Sequence, residues 1–275
     1  MSPFRASAGF TDRWEHFRFE LEDAVATVTF DRPDRLNALT FGVYADLRDL
    51  LSEIPQRDDV RALVITGEGR GFCSGGDVHD IIGQLQKADT RTLLDFTRMA
   101  GGVVQRMREC PSPIVAAVNG VAAGGGAVIA LAADFRLLAR SASFRFLFTN
   151  VGLAGADMGS AYLLPRLVGL GRATELLVLG ETVEAEQAVH IGLASRVVED
   201  QELSTAAREL AARLAEGPTV AFATTKLLLS REQDMDLAGA LELEAMAQAL
   251  LMTSADHHEF YRAFTEGRKP KWEGR

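Results

Sequence analysis

Two glycine-rich segments carry the residue types best suited to chemistry in this 275-residue chain. The first reads Gly71-Phe72-Cys73-Ser74-Gly75-Gly76-Asp77-Val78, and the second reads Asn119-Gly120-Val121-Ala122-Ala123-Gly124-Gly125-Gly126. Glycine lets a backbone approach a ligand with no Cβ in the way. Amides that open a helix lack intrahelical partners and attract negative charge. The amides of Gly76 and Gly125 could therefore receive an oxyanion. Either loop alone would also fit a tight strand-to-helix turn in a crowded core. Together, each behind an apolar run, they are a more specific signal.

Competing chemistries fail on detail. Gly67-Glu68-Gly69-Arg70-Gly71 does not have the spacing of a dinucleotide fingerprint, and no phosphate-binding Gly-x-x-x-x-Gly-Lys-Ser/Thr occurs. Neither Gly-x-Ser-x-Gly nor His-Glu-x-x-His is present. The only cysteines, Cys73 and Cys110, have no metal-ligand or redox spacing, so no metal site is expected and a reducing, cytoplasmic setting fits. A net charge of −9 opposes binding to nucleic acid or anionic membrane. Residues 1–12 lack the apolar core of a signal peptide. Residues 114–133 carry no charge, but Asn119-Gly120 and the triple glycine interrupt them. They read as strand, turn and buried helix rather than a membrane span.

These loops need elements to hold them. Alternation predicts strands over 17–21 and 25–30, with Glu22-Asp23 turning between them. Thr40 is placed to cap a helix running to about Ile54. Further strands are expected at 62–66, 114–118, 135–139, 143–146 and 194–198. Helices are expected at 78–85, 93–108, 124–133, 160–168, 172–179 and 184–191, and nearly continuously from Glu202, with a break at Gly217-Pro218. The picture is an α/β core over residues 1–200 and a helical region over 201–275.

The chain resembles the crotonase, or enoyl-CoA hydratase/isomerase, superfamily. The resemblance is carried by Arg32-Pro33-Asp34-Arg35-Leu36-Asn37-Ala38-Leu39, by both glycine loops, and by Leu163-Leu164-Pro165-Arg166 with Gly169. It continues through residues 185–195 and the ending at 264–272. It implies a spiral of repeated ββα units with a C-terminal helical region that helps form trimers or dimers of trimers. It also implies an acyl-CoA substrate, with coenzyme A entering as part of the thioester and no separate cofactor. The thioester oxygen would accept hydrogen bonds from Gly76 and Gly125. Backbone around Arg35, Leu36, Ser74, Asp77 and Val78 would hold the adenine and pantetheine portions. Gly124, Val128, Phe148 and Gly152 join the substrate-binding set.

The chain departs from the hydratase pattern at both glutamates that position water. Val128 stands at the first position and Phe148 at the second, with Leu147 in place of a proline. Neither side chain can exchange a proton, which hydration requires. One carboxylate remains: Asp157, nine residues before Arg166, matches the acid of isomerase-type members and the nucleophile of an aryl-CoA dehalogenase. Counted forward from Gly125, its loop is one residue longer than in those relatives. In an apolar pocket beside Val128, Phe148 and Met158 it would be a strengthened base. Its bland alternative is an Asx turn or a cap on the helix at 160–168. Asp77 reads as a helix cap, Asp134 as a structural hydrogen-bonder, Cys73 as packing and His79 as a solvated helix face. Gly267 falls where relatives place a CoA-binding lysine, a role open to Arg268 or Lys269.

The expected enzyme stabilises a thioester enolate and shuttles a proton with Asp157. The alternatives are a hydrolase, lyase or atypical hydratase using the same hole, or a non-catalytic crotonase-like protein.

Overall fold

A computed structural model describes residues 10–274, and most of the leader reading for residues 1–12 lies outside them. The chain opens with an antiparallel hairpin, β1 (Arg18–Glu22) and β2 (Val25–Phe30). Asp23 and Ala24 turn it at positive φ, 50° and 61°, the geometry that a two-residue hairpin demands. Thr40 accepts a hydrogen bond from Val43 N and so caps α1 (Phe41–Glu53). Val43, Tyr44, Leu47, Leu50 and Leu51 form its buried face.

The rest of the core repeats a strand–strand–helix unit. β3 (Ala62–Gly67) and β4 (Gly71–Cys73) lead to a π turn at Val78–Ile82, then α2 (Gly83–Leu85) and α3 (Thr90–Glu109). β5 (Ile114–Val118) and β6 (Val121–Ala123) lead to α4 (Gly125–Ala132). β7 (Phe135–Ala139) and β8 (Ser143–Arg145) lead to α5 (Ser160–Val168) and α6 (Leu170–Leu179). β9 (Thr182–Glu184), α7 (Ala185–His190) and β10 (Arg196–Val198) complete the unit series.

The first strand of each unit joins one sheet and the second joins another. The orders are β1-β2-β3-β5-β7-β10 and β4-β6-β8-β9. Within each sheet the repeating strands run parallel. This is the expected ββα spiral, in which each turn of chain stacks on the last.

From Asp200 to Glu266 the chain is mainly helical: a 3-10 turn, then α8 (Leu203–Ala215), α9 (Thr219–Arg231), α10 (Leu237–Leu251) and α11 (Ala255–Glu266). α8 buries Leu203, Ala207, Ala211 and Leu214 and packs on β3 and β5. α10 buries no residue at all. No helix among the described residues is long and apolar enough to cross a membrane.

Three short strands, β4, β6 and β9, were not expected from the sequence, which reads residues 67–76 as a loop. Each is three residues long. That is too short for alternation to show, and all three exist because a neighbouring edge supplies hydrogen bonds. The segment at 78–85 is a π turn run into a single helical turn rather than one regular helix.

Candidate active site

Strand register brings the two glycine loops together. In the second sheet Gly71 pairs with Val121 and Cys73 with Ala122, so β4 carries one extra residue. Three residues beyond that last pair come Gly76 and Gly125. The loops touch directly: a Cβ added at Gly75 would lie 2.9 Å from the carbonyl oxygen of Ala123 and 3.5 Å from Gly124 Cα. Gly75 at φ 94° and Gly124 at φ 50° hold conformations that other residues rarely adopt.

The direction of the Gly76 amide is set from the third side. Leu39 forms an isolated parallel bridge with Gly76. Leu39 N donates to Gly75 O at 2.8 Å, and Asp77 N donates to Leu39 O at 2.8 Å. Both bonds come from Gly76's neighbours, so its own N–H faces away from Leu39 and meets no acceptor among the described residues. The Gly125 N–H is likewise free, as the first amide of α4. At the other end of α4, the buried Arg136 guanidinium binds the carbonyls of Leu131 and Ala133, complementing the helix dipole.

Asparagines pin the glycine loops. Asn37, buried and at φ 56°, accepts from Arg32 N and donates to Glu68 O at 2.9 Å and Gly71 O at 2.7 Å. Asn119 accepts from Gly67 N and donates to Gly69 O. Ser74 N donates to Leu36 O at 2.9 Å, and Ser74 Oγ donates to Arg35 O at 3.2 Å. The amides of Arg35, Leu36, Ser74 and Asp77 are thus all spent inside the protein. Contacts of this loop with a bound coenzyme would fall to carbonyls, side chains and the exposed Val78.

Asp77 is the cap expected of it. Its carboxylate accepts from His79 N and Asp80 N and pairs with Arg32 Nη2 at 3.1 Å. The Asp80 amide bond contributes most to holding this carboxyl below the usual range. Asp134 joins Lys226 Nζ at 2.7 Å, Arg108 Nη1 at 3.2 Å and Ile114 N at 2.8 Å, a structural node. Cys73 is fully buried, and burial pushes its thiol up to about 12. His79 is exposed.

Asp157 is not a helix cap. Gly159 occupies the N-cap position of α5 and no side chain caps that helix. Among the described residues the Asp157 carboxylate takes one hydrogen bond, from the adjacent Met158 N at 2.9 Å. The loop is fixed instead by Ser160, whose Oγ donates to Gly155 O and accepts from Asp157 N. Burial raises the Asp157 carboxyl above its ordinary range. Met158, at φ 50°, carries the loop onto the hole, its sulfur 3.4 Å from where a Gly125 Cβ would sit. Val128 is fully buried and Phe148 nearly so. Gly152 ends an exposed turn with open space around it. Arg268 is held by Glu259 and Glu266, while the neighbouring Lys269 is exposed.

One residue at this site escaped sequence reading. Tyr44 is 4% exposed, and its hydroxyl stands where a Cβ on Gly125 would collide with it. Helical periodicity marks Tyr44 only as core, alongside Val43 and Leu47. The polar tip was the available signal.

Two sheets of mainly parallel strands bring together two glycines, Gly76 before the Asp77 cap and Gly125 at the start of α4, whose amides are free among the described residues. Known proteins identify the class. A sequence model described as enoyl-CoA hydratase/isomerase matches residues 20–275, and the chain belongs to that family of acyl-CoA-processing enzymes. It is 37% identical over 255 residues to the 1,2-epoxyphenylacetyl-CoA isomerase of Escherichia coli (strain K12), covering 93% of this chain and 97% of that one. It is 40% identical over 258 residues to a "Probable enoyl-CoA hydratase" of Rhodobacter capsulatus, covering 94% and 98%. A crystal structure from Streptomyces coelicolor A3(2), assigned provisionally as an enoyl-CoA hydratase, superposes with a TM-score of 0.97 at 62% identity over the whole of both chains.

Proposed function

We propose that this enzyme isomerises an acyl-CoA thioester, moving a double bond or opening a strained ring. The thioester oxygen sits between the Gly76 and Gly125 amides. Asp157 takes a proton from carbon, the electron pair passes into the enolate, and the oxygen's growing charge falls on the two amides and the N-terminus of α4. The protonated Asp157 then returns the proton at another carbon. One carboxylate serves both steps because no water is activated.

The observation that carries this reading is the state of Asp157: half-buried, not spent as a cap, and raised by desolvation. Val128 and Phe148, where a hydratase would hold its two glutamates, support it. So does the E. coli relative, whose name is that of an epoxide isomerase. Assembly as a trimer or dimer of trimers through the 201–275 region belongs to the same proposal. Its support is α10, which leaves Leu237, Leu241, Met246 and Leu250 more than half exposed. The two buried, unpaired thiols support a cytoplasmic location.

The test is a panel of enoyl-, dienoyl- and epoxyacyl-CoA thioesters, followed by mass spectrometry and thiol release, on the parent and on Asp157→Asn. Product of unchanged mass, lost in the variant, is expected. A gain of one water or release of free CoA would replace isomerisation by hydration or hydrolysis. Full activity in the variant would remove Asp157 from the mechanism.

A further inference from the structure

Tyr44 presents a polar group at the hole with nothing adequate to bond. Its hydroxyl is buried against Gly125, and its one partner among the described residues is Met158 Sδ at 3.7 Å. A thioether is a weak acceptor. A buried hydroxyl without a good partner is a net cost to the fold. Packing does not account for it: the ring meets Phe96 edge-on with centroids 5.7 Å apart, a contact a phenylalanine would make as well. Burial, with Cys73 and Asp157 nearby, pushes ionisation of the phenol upward, so it stays a neutral donor.

The position says what it would donate to. A thioester oxygen bound at the Gly125 amide brings its neighbouring carbons beside that glycine. Tyr44 touches the same glycine, and Met158 links it to Asp157. We propose that the Tyr44 hydroxyl donates a hydrogen bond to an oxygen on the acyl group, and so selects CoA thioesters bearing an epoxide, hydroxyl or carbonyl oxygen next to the thioester carbon. The inference rests on the isomerase reading and deepens it by naming the substrate class. A site built to bond a substrate oxygen discriminates strongly against the analogue lacking it. In the ring-opening case the donor also stabilises the oxygen as its carbon–oxygen bond breaks, while Asp157 moves the proton.

The experiment compares the parent, Tyr44→Phe and Asp157→Asn on two thioesters of equal chain length, a 2,3-epoxyacyl-CoA and a 3-enoyl-CoA, with melting temperatures alongside. Tyr44→Phe is expected to lose about 10- to 100-fold in kcat/KM on the epoxide and less than about two-fold on the enoyl thioester. Its melting temperature is expected to match or exceed the parent's. Equal losses on both substrates, no loss on the epoxide, or a marked fall in melting temperature would each overturn the proposal. If the parent converts both thioesters and Asp157→Asn neither, the isomerase reading stands whatever Tyr44→Phe does. A parent that converts only the enoyl thioester sinks the Tyr44 proposal alone. A parent that converts neither sinks both.

Discussion

Leu39 and Gly76 are joined as a parallel bridge in which Leu39 bonds only to the residues on either side of Gly76. That pairing leaves the Gly76 N–H pointing outward, beside the free first amide of α4. The candidate oxyanion hole is therefore a product of three chain segments: the loop ending in Leu39, the loop after β4 and the turn before α4. Each is short, and each is anchored by backbone hydrogen bonds or by the side-chain amides of the buried Asn37 and the half-buried Asn119.

The two hole glycines should respond differently to alanine. At Gly125 a Cβ would strike the Tyr44 hydroxyl and come within 3.3 Å of Leu39 Cδ1, inside a packed core. We expect Gly125→Ala to cost about 1–3 kcal/mol of stability from overpacking, and activity to fall by about 10²–10³-fold as the donor is displaced. At Gly76 the nearest atom is Ile81 Cδ1 at 3.8 Å, so Gly76→Ala should fold within about 0.5 kcal/mol of the parent. Thermal melts with steady-state kinetics check both.

Asp157 should write an acid limb into the pH profile. A raised carboxyl must lose its proton to act as base, so activity should rise with pH through a midpoint above the ordinary Asp value of about 4. In Asp157→Asn the limb should vanish with about 10²–10⁴-fold of the rate. The stability sign is opposite. A carboxyl raised in the folded state penalises folding above its folded pKa, and the penalty fades as pH falls towards the unfolded value. Asp157→Asn should therefore melt no lower than the parent at pH 7, with any advantage shrinking towards pH 4.

The Asp134 node should be sensitive to which partner is removed. Asp134→Ala leaves Lys226, whose side chain is 8% exposed, without its carboxylate. A loss of about 3–5 kcal/mol is expected for such an orphaned charge. Lys226→Met should cost less, because Asp134 keeps Arg108 and the Ile114 amide. Urea unfolding of the two variants measures the difference.

Assembly should depend on α10. Leu241 is 55% exposed and Leu250 74%, on a helix with no buried residue. The double variant Leu241→Glu, Leu250→Glu should run as a monomer by light scattering while keeping the parent's far-ultraviolet circular dichroism. An unchanged mass would place the interface elsewhere.

The sequence by itself determined the parts whose physics is local. Thr40 and Asp77 cap because a side-chain oxygen reaches an amide two or three residues on. Gly75 and Gly124 are glycines because the turns there hold positive φ. Strands β2, β3, β5 and β7 show as apolar runs, while the ββα spiral was implied by the family resemblance. The absence of both hydratase glutamates was equally plain from Val128 and Phe148. Only tertiary structure decided the rest. β4, β6 and β9 are three-residue strands made by their neighbours. Whether Asp157 capped its helix depended on Gly159 taking the N-cap position and Ser160 fixing the loop. Tyr44 meets Met158 across 114 positions of chain. Helical periodicity reports which side of α1 is buried, but not what the buried hydroxyl faces; that is fixed by the packing of α1 against the start of α4 and the Asp157 loop.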